Sequence, residues 1–240
     1  MCQLIRTALV TGTSSGIGLA VCHHLLLQDW QVTGLARDFS KATSLTDNPN
    51  FTPVTIDLAD LEQLPDTINQ LIKPMSSLDA VIFSAGKGQF GSIEEFSYSQ
   101  IRELIEINFT SQAYLARAVI PKMKRAKRGD LVFMGSEAAL TGSRKGSLYC
   151  ASKFALRGFA QALRDECAKS GVRVSIINPG MVKTAFFDTL NFEPGSEQSE
   201  SILPEDVAEM VALVLNLRQG TVIDEITCSP TKKTIHFKEA

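Results

Sequence analysis

Apolar residues recur along this chain in short unbroken blocks that alternate with stretches of helical spacing. Blocks at residues 4–10, 30–36, 51–56, 78–84, 130–135, 172–178 and 222–228 predict strands. Between them, residues 17–27, 61–72, 97–107, 111–125, 148–169 and 205–217 carry apolar positions three and four apart. Leu61, Leu64, Ile68 and Leu71 are one such set, and these segments predict helices. Pro204 opens the last of them, where a missing N–H costs little. Several strand blocks, such as residues 80–83, are apolar at every position instead of every second one. That pattern requires a parallel sheet covered on both faces. The alternation predicts a doubly wound α/β fold, a Rossmann-type sheet of about seven strands, in a single domain over residues 1–240.

No linker divides the chain. The one polar, irregular stretch is residues 191–201. It follows the sixth strand, at the edge of the sheet where such folds bind ligands, so residues 185–203 are expected to form a substrate lid. Residues 229–240 are expected to be a tail that extends a strand or reaches another subunit.

Charge and composition remove several classes of function. The net charge is -2, which gives no electrostatic case for nucleic acid or an anionic membrane. The basic run at residues 122–128 has no interleaved aromatics and fits the solvated end of a helix. No apolar run approaches the ~20 residues of a membrane span. The five cysteines, Cys2, Cys22, Cys150, Cys167 and Cys228, show no metal or redox spacing. Their odd number suits reduced thiols in a cytoplasmic protein. The chain runs directly into its first strand, so no targeting segment is expected. His23, His24 and His236 have no third ligand in register, and no metal site is expected.

The candidate chemistry begins at residues 11–18, between the first strand and first helix. Gly12, Ser14, Ser15, Gly16, Ile17 and Gly18 form a turn whose small residues let backbone approach a pyrophosphate at a helix N-terminus. A dinucleotide is therefore the expected ligand. An acidic residue about 20 positions on would hold a ribose 2′-hydroxyl. The second strand instead ends in Ala36-Arg37-Asp38. A guanidinium at Arg37 pairs well with a 2′-phosphate, which favours NADP(H) over NAD(H). Asp38, a shifted ribose acid, is the competing reading.

Tyr149 and Lys153 stand four apart on a predicted helix and share one face. Ser136 ends the fifth strand at the ligand edge. A phenol titrates near about 10, and an adjacent ammonium lowers that value. Such a tyrosine can exchange a proton with a carbonyl or alcohol oxygen while a nicotinamide moves the hydride. Phe186, Phe187, Leu190 and Phe192 follow closely, as core or as a substrate wall suited to an apolar carbonyl.

These motifs together resemble the short-chain dehydrogenase/reductase family over nearly the whole chain. The turn at residues 11–18 is similar to the family's Thr-Gly-x-x-x-Gly-Ile-Gly. Tyr149-Cys150-Ala151-Ser152-Lys153 matches its Tyr-x-Ala-Ser-Lys. The resemblance implies that Asn108, Ser136, Tyr149 and Lys153 are catalytic, with Asn108 holding a water on a proton path. It implies that Asp57 and Leu58 meet the adenine. In Pro179-Gly180-Met181-Val182-Lys183-Thr184, it implies that Pro179, Gly180, Val182 and Thr184 hold the nicotinamide. Ser84, Ala85 and Gly86 stand where the family has Asn-Asn-Ala-Gly, with both amides missing, so a less rigid turn is expected there. The implied function is an NADP(H)-dependent carbonyl reductase or alcohol dehydrogenase acting on a small molecule. Residues 223–231 look like the branch that holds 3-hydroxy acid dehydrogenases. A homodimer or homotetramer built on the 148–169 helix is implied as well. A non-catalytic NADP sensor or scaffold, and an isomerase or lyase using the nicotinamide transiently, are the alternatives. The retained Tyr149 and Lys153 oppose the first, and the short region after Pro204 opposes the second.

Overall fold

The computed structural model describes residues 5–238; Cys2, the Leu4 start of the first expected strand, and tail positions 239 and 240 lie outside the described residues. The chain runs β1 (Thr7–Thr11), α1 (Gly16–Leu27), β2 (Gln31–Ala36), α2 (Thr43–Thr46), β3 (Phe51–Thr55), α3 (Leu64–Ile72) and β4 (Ala80–Phe83). It continues through α4 (Tyr98–Ile105), α5 (Ser111–Ala126), β5 (Gly129–Met134), α6 (Ser147–Ala168) and β6 (Val172–Pro179). The last elements are β7 (Phe192–Pro194), α7 (Pro204–Asn216), β8 (Glu225–Cys228) and β9 (Ile235–Phe237).

Seven strands pair in the order β3-β2-β1-β4-β5-β6-β8, each neighbour parallel. From β1 the chain winds outward to β3, then returns to place β4 on the other side of β1. The crevice at this reversal, beyond the carboxyl ends of the strands, is where a doubly wound sheet takes ligands. The fully apolar strand blocks have the expected cause. Ala8, Val10, Ile82 and Val132 pack with Val21, Leu25, Val207 and Val211 of α1 and α7. Their neighbours Leu9, Val81, Leu131 and Phe133 face the other way, onto Ile68, Leu115 and Leu156 of α3, α5 and α6. Both faces are buried, so the central strands are apolar at successive positions, and the polar residues they carry, such as Asp130 and Arg173, are buried.

The boundaries differ from expectation for local reasons. The first strand begins at Thr7; the Arg6 carbonyl still accepts from Gln31 N–H (2.9 Å), and its guanidinium stacks 3.8 Å above the Trp30 ring. The last sheet strand begins at Glu225, not residue 222. The Arg173 guanidinium donates to the carbonyls of Leu217, Arg218 and Thr221 (2.8, 3.4 and 3.2 Å) and holds that approach as loop. Pro53 is tolerated in β3 because that strand is the sheet edge. Lys122, in the basic run, donates to the Ile72 and Met75 carbonyls and so caps α3.

Residues 191–201 are a larger correction. They are not simply irregular: Phe192–Pro194 pairs antiparallel with Ile235–Phe237 of the tail. Lys232 N–H donates to the Ser199 carbonyl (2.8 Å), and the Lys238 ammonium to the Phe187 carbonyl (2.6 Å). The tail thus folds back onto its own chain. Strands of three residues are too short to show a two-residue period in sequence.

Asp130 and Arg173 form a buried bidentate pair at 2.5 and 2.9 Å. Burial pushes the Asp130 carboxyl up, and Arg173 pulls it back down. Asp130→Ala strands the guanidinium in the protein interior. Denaturant unfolding should show a loss of about 3–5 kcal/mol; a loss below about 1 kcal/mol would mean that water reaches Arg173 freely.

Candidate active site

The turn after β1 is shaped for an anion. Gly12 has φ +71°, and a Cβ there would lie 2.9 Å from the Ala85 Cα. Ser15 is the extended N-cap of α1 and makes no side-chain cap hydrogen bond. The first amides of a 12-residue helix and a serine hydroxyl therefore remain open toward the crevice. The Gly16 backbone lies against the Thr184 side chain, which joins the glycine turn to the Pro-Gly segment after β6.

A cleft of about 1750 Å³ runs from this turn in both directions. That exceeds the ~300–1,000 Å³ of a single small-ligand pocket and suits a dinucleotide with a second reactant. Gly12, Ser14, Ser15, Gly16, Ile17, Gly18, Arg37, Asp57, Leu58, Ser84, Ala85 and Gly86 line it. So do Ser136, Tyr149, Lys153, Pro179, Gly180, Val182 and Thr184.

At one end, Arg37 is joined by Lys41. Asp38, the competing ribose acid, is engaged elsewhere. Its carboxylate accepts from the Ser40 hydroxyl (2.6 Å) and the Ser40 N–H (2.8 Å). Those bonds, the hydroxyl first, hold it below the usual carboxylate range. Arg37 and Lys41 are the cations of this end, and Asp38 keeps its charge with its oxygens taken up by Ser40.

The turn at Ser84-Ala85-Gly86 is better anchored than its missing amides suggest. Ser84 and Ala85 N–H both donate to the Thr11 hydroxyl (3.0 Å each), and Gln112 donates to the Ala85 carbonyl (3.1 Å). Asn108 holds the next residue at both backbone groups. It accepts from Lys87 N–H (2.9 Å) and donates to the Lys87 carbonyl (3.0 Å). The expected loss of rigidity is thus corrected: Thr11, Gln112 and Asn108 replace the amides, and the Ser84 hydroxyl takes no part among the described hydrogen bonds.

Asn108 itself does not line the cleft. It is fully buried in a π turn, Glu106–Thr110, between α4 and α5, where it also donates to the Ser152 hydroxyl (3.1 Å). Ser111 and Gln112 side chains bond the carbonyls of Ile107 and Asn108 (both 2.9 Å), which explains the widened turn. Its described contacts are those of a positioning residue.

Ser136 lies just past β5, with extended backbone, and its hydroxyl accepts from Ala138 N–H (3.1 Å). Tyr149 and Lys153 project from the first turns of α6. The Lys153 ammonium donates to the Met134 carbonyl (3.0 Å) and sits 5.8 Å from the Tyr149 ring centroid. Burial pushes the Tyr149 phenol up to about 12, with the Ser136 hydroxyl acting in the opposite direction. Burial also pushes Lys153 down to about 8. The expected net lowering of the phenol by Lys153 is not met: desolvation dominates both groups, and the net shift of Tyr149 is upward. At neutral pH the result is a protonated phenol beside a cation, which is a proton donor ready for use.

Beyond Tyr149 the cleft becomes aromatic. Phe90 lies 5.0 Å from both Tyr149 and Phe192, and Phe186 lies 6.0 Å from Tyr149. Phe187 and Phe192 complete the wall at 5.8 Å. Ile235 and Phe237 from the tail also line it.

The sequence profile described as short chain dehydrogenase matches residues 6–194. This chain belongs to the short-chain dehydrogenase family. The oxidoreductase is similar, at 29% identity over 94% of its length, to an uncharacterised oxidoreductase of Staphylococcus aureus, 97% of which is covered. It is also similar, at 28% identity, to an NADP-dependent 3-hydroxy acid dehydrogenase of Schizosaccharomyces pombe (94% and 93% of the two chains). Among solved structures, a metagenomic short-chain oxidoreductase in complex with NADP shares 26% identity with a TM-score of 0.80 (95% and 98% covered). An alcohol dehydrogenase of the archaeon Thermococcus sibiricus aligns with a TM-score of 0.85 at 22% identity (96% and 99% covered), a likeness of fold.

Several residues of this dehydrogenase's cleft were not singled out from sequence. Lys41 follows Arg37 by four positions, a spacing that means nothing in a loop. Phe90 sits just beyond the Ser84-Ala85-Gly86 turn, where an aromatic residue was a usable signal. Glu137, Ser229 and Lys233 meet only through the fold: both Ser229 and Lys233 donate to the Glu137 carboxylate, the lysine at 2.7 Å. No described helix is long and apolar enough to cross a membrane.

Proposed function

We propose that this short-chain dehydrogenase interconverts a carbonyl compound and its secondary alcohol with NADP(H). The observation that carries the reading is the convergence of Ser136, Tyr149 and Lys153 on one cleft. Its far end holds Arg37 and Lys41. The Arg37 and Lys41 cations, the engaged Asp38, and the NADP dependence of the Schizosaccharomyces pombe relative all support NADP(H) over NAD(H).

A bound nicotinamide supplies the hydride in reduction and accepts it in oxidation. The Tyr149 hydroxyl gives its proton to the carbonyl oxygen, and the Ser136 hydroxyl holds that same oxygen. The phenolate left on Tyr149 is stabilised by the Lys153 ammonium, whose other contact, the Met134 carbonyl, fixes its place. Phe90, Phe186 and Phe192 exclude water from the reacting oxygen and favour an apolar or aromatic group on the substrate. Residues 185–203, held down by the tail, act as the lid of this end.

The test is NADPH consumption across aldehydes, ketones, diketones and keto acids. Turnover is expected with at least one class, and faster with apolar carbonyls than with small polar ones. Tight NADPH binding with no turnover across the panel would favour a sensor instead.

A pH dependence follows from Lys153. Its pKa lies at about 8, so the ammonium is present below that pH and lost above it. Tyr149, at about 12, stays protonated throughout. The kcat of reduction should therefore fall as pH rises through about 8, by an order of magnitude or more at about pH 10. A profile flat to about pH 10 would remove the charge of Lys153 from the reaction.

A further inference from the structure

The helix that carries Tyr149 and Lys153 bears a third polar residue on the same face, Arg157, one turn further on. Its guanidinium donates two bonds to the Glu225 carboxylate at 2.8 and 3.0 Å. Glu225 begins β8. Its Oε1 also accepts from the Asn178 side-chain amide, at 2.5 Å. Asn178 is fully buried near the end of β6, and its Oδ1 accepts from the backbone N–H of Ser136 (3.3 Å). The same Oδ1 occupies the space a Cβ at Gly135 would need, so a side chain there would displace the Asn178 amide.

We propose that Arg157, Glu225 and Asn178 form a positioning clamp that sets the placement of Ser136 relative to Tyr149. The proposal rests on the oxidoreductase reading above. Ser136 comes from the end of β5 and Tyr149 from α6. The Ser136 hydroxyl acts on the Tyr149 phenol, so the placement of one relative to the other matters. The clamp supplies a rigid link between the two elements. Arg157 fixes α6 to Glu225, Glu225 fixes the orientation of Asn178, and Asn178 fixes the Ser136 backbone. Orientation matters at Asn178 because its amide must present oxygen to Ser136 and nitrogen to Glu225. A carboxylate at 225 accepts only, so it permits one of the two amide orientations. None of the three residues lines the cleft, and the clamp acts through Ser136.

Two measurements test this. The first is amide hydrogen exchange, which needs no substrate. Glu225→Ala should speed exchange at Ser136 N–H by about tenfold or more. Exchange at Gly135 N–H, bonded to the Ile177 carbonyl at 2.7 Å, should change by less than about threefold. The second is kinetic coupling. Glu225→Ala should lower kcat about tenfold, with the KM for NADPH within about twofold. In a Ser136→Ala background the same change should cost less than about twofold, because the residue it positions is gone. Glu225→Gln keeps an acceptor for Asn178 but loses the charge pair, and should fall between. Arg157→Gln, which leaves the β6–β8 contact in place, tests the helix arm if Glu225→Ala folds poorly. It should lower kcat about threefold and be equally silent in the Ser136→Ala background. Unchanged Ser136 exchange, or equal kinetic losses in both backgrounds, would overturn the clamp. Absence of carbonyl turnover in the wild type would overturn the oxidoreductase reading and leave the exchange result to decide the clamp alone.

Discussion

Tyr149→Phe lowers carbonyl reduction by at least about a thousandfold and leaves NADPH affinity within about threefold, the size expected when a general acid is removed. The substitution deletes one hydroxyl and keeps the ring. The ring packs against Phe90 at 5.0 Å and Phe186 at 6.0 Å, so the aromatic wall survives. Lys153 keeps its bond to the Met134 carbonyl, so the α6 face stays placed. What disappears is the proton that must reach the carbonyl oxygen as the hydride arrives. A phenol held at about 12 is almost wholly protonated at neutral pH, so the wild-type enzyme begins reduction with its donor in place. Steady-state kinetics and NADPH titration on the same preparation separate the two effects. Activity within about tenfold of wild type would mean that another group donates the proton, with Ser136 the first suspect.

Arg37→Ala should weaken NADPH binding by about ten- to a hundredfold, while NADH binding changes by less than about threefold. The asymmetry is the informative part. Only the 2′-phosphate distinguishes the two cofactors, and a charge-assisted hydrogen bond to it contributes about 1.5–3 kcal/mol. Lys41 shares that end of the cleft, so a single substitution leaves one cation behind. The double change Arg37→Ala, Lys41→Ala should therefore lose more than either alone and bring the two cofactors close to parity. Equal losses for NADPH and NADH would instead mean that Arg37 stacks on the adenine, and that the phosphate is met elsewhere. Asp38→Asn serves as the counter-test. Its oxygens already accept from Ser40, so NADH binding should hardly change.

Much of this architecture was legible in the chain because parallel strands buried on both faces leave an unmistakable trace. Residues 80–83 are apolar without a break because Val81 and Phe83 meet one helical layer and Ala80 and Ile82 the other. The cleft was legible because its residues are tied to element ends. Gly12 closes β1, Ser136 follows β5 and Pro179 ends β6, so a strand assignment places each at the same sheet edge. Other features depend on contacts between distant segments. Nothing local marks Phe192–Pro194 as a strand, since its partner lies at Ile235–Phe237. The π turn at Glu106–Thr110 depends on Ser111 and Gln112 side chains entering the helical ladder. The direction of the Tyr149 shift depends on how completely the fold removes water from it. Spacing alone suggested that Lys153 would prevail, and burial outweighs it.

Hydride transfer is the central claim, and isotope tracing tests it most directly. NADPH carrying deuterium at the transferable position of the nicotinamide is incubated with enzyme and the best carbonyl from the panel, and the alcohol is examined by mass spectrometry. The account predicts one deuterium on the carbinol carbon for each NADPH oxidised, and none with Tyr149→Phe over the same time. Oxidation of NADPH that leaves the product carbon unlabelled, or equal labelling by Tyr149→Phe, would contradict it.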